Sequence, residues 1–128
     1  MKNTINLKTI SLPQLNGLCP TLESTALKIA EENGELCRAI GKFRGLSGER
    51  DTLETQEAFK EVAKELLDVA QTSFTMMFLL EKEHGIDIES YIEEHIEKLI
   101  KKGYINTGLA EEESACKLEG LPKKLREE

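Results

Sequence analysis

An all-α fold built from long helices is predicted for this chain by three observations. Apolar residues recur at helical spacing through three stretches separated by glycine-bearing breaks. Beta-branched runs bounded by turn signals are missing after residue 20. The 39% apolar content is modest beside 32% charged residues, a balance that suits amphipathic helices better than a fully buried sheet. At 128 residues the chain is long enough for one core and too short for two.

Residues 1–20 form an N-terminal arm in which Ile5, Leu7, Ile10, Leu12, Leu15 and Leu18 suit either a short strand-like segment or an irregular helix. Pro13, Gly17 and Pro20 interrupt any regular element there. Thr21 is an N-cap candidate for a first helix running to about Phe43, with Gly45 just beyond. Its expected buried stripe is Leu22, Ala26, Ile29, Leu36, Ile40 and Phe43. A loop rich in glycine and charge, Gly41 to Thr55, carries Lys42, Arg44, Arg50 and Asp51 but lacks a phosphate-loop pattern. The second helix begins near Thr52 or Thr55 and continues toward His84, where Gly85 stops it. Phe59, Val62, Ala63, Leu66, Val69 and Ala70 supply its stripe.

From Thr72 to Leu80 that helix becomes apolar nearly all round, which implies burial against several neighbours. A monomer of this size has little to cover it with, so a subunit interface is expected. Asp87 is the expected cap of a third helix through about Lys102, with Tyr91, Ile92, Ile96, Leu99 and Ile100 inward and Gly103 at its end. The tail, 105–128, holds an acidic run, Glu111 to Glu113, then Pro122, and reads as one short helix at most and otherwise a flexible end. The layout is therefore an arm (1–20), a helical domain (21–104) and a tail (105–128).

The formal charge of −7 argues against a nucleic-acid polymer as partner, because phosphate backbones require a basic surface. A single nucleotide stays compatible, since a bound cation reverses the local sign of an acidic site. Cys19, Cys37 and Cys116 are odd in number and include no CxxC, so no disulfide framework is implied and a reducing cytoplasm is the simplest setting. Cys37 is expected to be a buried, inert thiol. No basic segment followed by a long apolar run marks a signal peptide, and the longest apolar stretch, Met76 to Leu80, is too short to span a bilayer.

Chemistry concentrates in two acidic pairs, Glu32-Asn33-Gly34-Glu35 and Glu65-Leu66-Leu67-Asp68. Three-residue spacing puts both carboxylates of a pair on one helical face, one turn apart. Two such helices side by side would gather four carboxylates into a small volume. Their repulsion calls for a divalent cation, and hard oxygen ligands favour Mg²⁺, Ca²⁺ or Mn²⁺. Spacing alone is a weak signal in a chain with 24 acidic residues, where solvated faces are the usual explanation. The pairs gain weight because each borders a strong apolar stripe, and because Lys98, Lys101 and Lys102 follow on a third helix where they can face an anion.

Glu31-Glu32-Asn33-Gly34-Glu35-Leu36, Lys64-Glu65-Leu66-Leu67-Asp68-Val69 and Lys98-Leu99-Ile100-Lys101-Lys102-Gly103-Tyr104 together resemble the MazG-like all-α nucleoside triphosphate pyrophosphohydrolases. The ordered set, ExxE then ExxD then a lysine-bearing segment, covers roughly Thr21 to Tyr104. Two features depart from the pattern. The 29 residues between Glu35 and Glu65 make a long spacer, and the arm matches no family element. The resemblance implies an antiparallel helical bundle completed by oligomerisation, a homodimer or homotetramer that binds Mg²⁺ (Mn²⁺ being possible) and cleaves nucleoside triphosphates to monophosphate and pyrophosphate. It makes Glu32, Glu35, Glu65 and Asp68 the metal ligands, with Glu35 the candidate to orient or deprotonate water instead. Lys98, Lys101 and Lys102 would contact the β- and γ-phosphates, although favourable placement at a helix C-terminus explains any one of them equally well.

Other residues carry plainer readings. Glu31 and Glu61 are expected to be solvated salt-bridge partners, and Met76 and Met77 to pack an interface core. Phe43, Phe59, Tyr91 and Tyr104 are base-stacking candidates, each more simply structural. Glu81-Lys82-Glu83-His84 contains an ExxH, yet His95 has no Glu three residues earlier, so a carboxylate-bridged di-metal oxidase is a poor match. The main alternative to an enzyme is a non-catalytic helical oligomer that binds a nucleotide or protein partner.

Overall fold

The computed structural model describes residues 5–44 and 55–108. Its elements are α1 (Leu22–Phe43), α2 (Thr55–His84), a 3₁₀ turn (Ile88–Tyr91) and α3 (Ile92–Lys101). Among the described residues there is no strand, so the fold is all-α. None of these helices is long and apolar enough to cross a membrane. The chain forms two compact units, one spanning Thr9–Ile92 and the other taking in α3 from Glu93.

Thr21 starts α1 as its sequence position suggests. Its hydroxyl accepts from the Ser24 N–H at 3.0 Å while the Ser24 hydroxyl accepts from the Thr21 N–H at 2.9 Å. This reciprocal box satisfies two helix-end donors at once. Glu23 in the first turn and Lys42 in the last complement the helix dipole. Gly41 belongs to α1 and not to the following loop, whose Gly45, Arg50, Asp51 and Thr52 lie outside the described residues.

The second helix, 30 residues and about 45 Å long, stops at His84 because Gly85 adopts φ +63, a left-handed conformation that side chains resist. Asp87 does not cap the third helix. It precedes the 3₁₀ turn without a side-chain cap, and its carbonyl instead accepts from the Ser90 hydroxyl at 2.6 Å. The α-helix proper therefore begins five residues later, at Ile92. At its far end Tyr104 N–H returns to Leu99 O (3.0 Å) and Gly103 N–H to Ile100 O (2.9 Å), with Gly103 at φ +78. That pairing terminates the helix where the glycine predicts.

Helices α1 and α2 lie against each other in opposite senses. The Phe43 and Phe59 rings meet with centroids 4.9 Å apart near one end. Glu32 faces Glu65 and Asp68 in the middle, and Thr25 shares a cavity wall with Thr72 and Thr75 toward the other end. Buried residues here are Thr25, Ala58, Thr72, Thr75 and Leu79. The three threonines satisfy their hydroxyls within their own helices, each donating to the carbonyl four residues earlier.

The apolar stripes are only partly covered. Leu22, Ile29, Leu36 and Phe43 are half-buried, but Ala26 and Ile40 are exposed. On α2, Val62, Val69 and Ala70 are half-buried, whereas Phe59, Ala63 and Leu66 are exposed. One neighbouring helix can cover only part of a stripe more than 100° wide. From Thr72 to Leu80 every side chain is buried or half-buried, the densest such run among the described residues. In α3, Ile96, Leu99 and Ile100 are half-buried while Tyr91 and Ile92 are exposed. Cys37 is exposed, not buried, because position 37 falls outside the stripe that faces α2.

Residues 5–20 adopt neither strand nor helix. The portion from Thr9 is pinned to α2 by Gln71, whose side-chain amide donates to the Pro13 carbonyl at 2.9 Å.

Candidate metal centre

Glu65 and Asp68 stand one turn apart on α2, and Glu32 meets them from α1. One carboxylate oxygen from each of the three lies within 4.8 Å of the others. Glu32 is well covered, its side chain only 12% exposed, while Glu65 is half-buried and Asp68 exposed. Lys28, one turn before Glu32, places its ammonium 2.9 Å from the Glu32 carboxylate and 3.3 Å from Glu31. These two acids hold the Lys28 pKa above its ordinary value, Glu32 contributing the larger part.

Gathering three carboxylates has a readable electrostatic consequence. The Glu65 pKa is raised, chiefly by desolvation on burial, and further by the negative charges of Asp68, Glu35, Glu32 and Glu61. The fold thus holds Glu65 where its charged form is disfavoured unless a positive charge joins it. Two oxygens bonded to one hard cation at about 2.0–2.6 Å sit at most about 4–5 Å apart, so the trio fits a single ion with small side-chain adjustments. Oxygen-only donors of this kind match Mg²⁺, Ca²⁺ or Mn²⁺.

Glu35 stands outside the trio. It is half-buried, its carboxylate lies 3.7 Å from the Arg38 guanidinium, and its charge still reaches Glu65. Lys98 and Lys101 occupy the last turn of α3, and Lys102 follows with its N–H on the Lys98 carbonyl at 3.0 Å. All three side chains are exposed and belong to the unit that begins at Glu93. Glu61 pairs with Lys64 at 3.0 Å and Glu31 with Lys28, as solvated partners should. His84 and His95 are exposed, and Met76 and Met77 are half-buried.

Two residues that sequence reasoning overlooked shape the site. Lys28 was legible as the cation four residues before Glu32, a helical ion-pair spacing. Gln71 carried no such signal, because its partner is a backbone carbonyl 58 residues away. Beside the trio a cavity of about 440 Å³ opens under the arm and shares Glu32 and Asp68 with it.

A family model described as the MazG nucleotide pyrophosphohydrolase domain matches residues 20–103, well over half of the chain. That span takes in α1, α2 and α3, both acidic pairs and Lys98, Lys101 and Lys102. No curated protein and no solved structure matched the sequence.

Proposed function

The chain belongs to the MazG nucleotide pyrophosphohydrolase family, and on that premise we propose that it is a Mg²⁺-dependent enzyme cleaving nucleoside triphosphates to monophosphate and pyrophosphate. Mn²⁺ is the expected substitute. The observation that carries this reading is the convergence of Glu32, Glu65 and Asp68, from two helices, within 4.8 Å.

In this account Glu32, Glu65 and Asp68 hold the cation. When bound, it supplies charge shielding for the phosphate oxygens and the leaving pyrophosphate, the chemistry that attack at the α-phosphorus most needs. Glu35, outside the trio yet near Glu65, orients the attacking water and accepts its proton. Lys98, Lys101 and Lys102 are assigned to the β- and γ-phosphates as compact positive charges. Lys28 balances Glu32 when the carboxylates carry no other counter-ion.

The catalytic domain is taken as residues 21–104, preceded by the arm and followed by the tail. We assign an antiparallel bundle completed as a homodimer or homotetramer. Its support is the apolar area left open, with Leu27 74%, Leu66 53% and Leu67 49% exposed. We assign a cytoplasmic setting, the simplest one for an odd cysteine count without CxxC.

The test is direct. Incubated with a panel of nucleoside triphosphates and Mg²⁺, the protein should release pyrophosphate and monophosphate in equal amounts, and EDTA should stop it. Nucleotide binding without pyrophosphate release would favour the non-catalytic alternative.

A further inference from the structure

We infer that the cavity beside the carboxylate trio receives the base of the same nucleotide and favours a base bearing an exocyclic amino group, an inference that rests on the trio's assignment to the phosphate end. The cavity shares Glu32 and Asp68 with the trio and continues under the N-terminal arm. Its volume of about 440 Å³ lies within the range of small-ligand sites. A ligand whose phosphates sit at the trio therefore has its remaining part directed to this space.

The two walls differ in chemistry. Leu15, Leu18 and Pro20 of the arm form an apolar side, with Leu15 36% and Leu18 65% exposed. Such open apolar surface suits the flat face of a heteroaromatic ring. The helical side carries four hydroxyls, those of Ser24, Thr25, Thr72 and Thr75.

Each hydroxyl has already committed its proton to a helix carbonyl: Ser24 and Thr25 to Thr21 at 3.2 and 2.6 Å, Thr72 to Asp68 at 2.8 Å, Thr75 to Gln71 at 2.9 Å. A hydroxyl has one donor, so what these groups retain for a ligand is lone pairs.

Of the nitrogen donors on the lining, Lys28 pairs with Glu31 and Glu32, and Gln71 holds the Pro13 carbonyl through one of its two amide N–H groups. The hydroxyl stretch itself offers only acceptors, and such a stretch reads donors. An amino group on the base can satisfy it, whereas a carbonyl at the same ring position turns lone pairs toward lone pairs. Gln71, through Pro13, is the positioning residue that keeps the arm over the ring.

Matched substrate pairs test this, because dCTP and dUTP, or ATP and ITP, differ chiefly in amino against oxo. With Mg²⁺, kcat/KM should favour the amino member of each pair by about tenfold, the worth of one hydrogen bond gained and one mismatch avoided. Thr72→Val, which keeps the shape and removes the oxygen, should bring the ratio toward one. Gln71→Leu should raise KM for both members of a pair while altering kcat less. Equal or reversed preference in the wild-type enzyme, with hydrolysis intact, would overturn the base assignment alone. Hydrolysis of no triphosphate at all would overturn it together with the proposed function.

Discussion

The Lys28 ammonium lies 2.9 Å from the Glu32 carboxylate, so the acid that α1 presents to Glu65 and Asp68 brings its own counter-charge. Lysine and a divalent cation therefore compete for the same oxygens. Replacing Lys28 by Met should lower the melting temperature of the metal-free protein and raise its Mg²⁺ affinity a few-fold. Calorimetric titration alongside melts in EDTA checks both. Weaker Mg²⁺ binding in the variant would show that Lys28 assists the site instead of occupying it.

Glu65 makes the site sensitive to pH. Its folded pKa is raised above the ordinary 4.5 by desolvation and by the charges of Asp68, Glu35, Glu32 and Glu61. A raised carboxyl favours folding when protonated, so its contribution is fully present below pH 4.5 and is lost as pH rises through the folded value. Metal-free Glu65→Gln should therefore gain stability relative to wild type as pH climbs from about 4 to about 7. Saturating Mg²⁺ should restore the wild type and leave the variant unchanged. A pH-independent gap between their melting curves would refute this.

The acids should separate by role. Glu32→Gln and Asp68→Asn should each lose at least about 100-fold in activity, since even partners one shell out from a metal cost about 10–100-fold. Both should also lose Mg²⁺ affinity. Glu35→Gln, if Glu35 handles water, should lose activity while retaining most of that affinity. Activity at the wild-type level in Glu32→Gln or Asp68→Asn would remove that residue from the ligand set.

Much of this was legible in the sequence because it is local. The start of α1 at Thr21, the stop of α2 before Gly85 and the stop of α3 at Gly103 follow from residues beside the break. Asp87 misled because capping depends on whether a helix starts in α or 3₁₀ geometry, which residue identity does not specify. At the site, the spacing within each acidic pair placed its acids on one face. Which three of the four converge depends on how α1 and α2 are set against each other, and that is a tertiary property. Gln71 was opaque because a long-range backbone partner leaves no periodic trace, whereas the exposure of Cys37 was legible in its position outside the stripe of Leu36, Ile40 and Phe43.

The proposed oligomer rests on open apolar area. Leu27 and Leu66, at 74% and 53% exposure, lie on the two helices that build the carboxylate site. Substituting each with Glu should shift the sedimentation coefficient toward a smaller species and lower the melting temperature. A wild-type protein that sediments as a monomer at all concentrations would contradict the oligomeric bundle.

The convergence of carboxylates on one cation is tested most directly by anomalous diffraction from crystals grown with Mn²⁺. A single strong peak is expected between the oxygens of Glu32, Glu65 and Asp68, at about 2.0–2.6 Å from each, the range of hard-cation bonds. Manganese bound elsewhere, with those three carboxylates turned to solvent, would contradict the account.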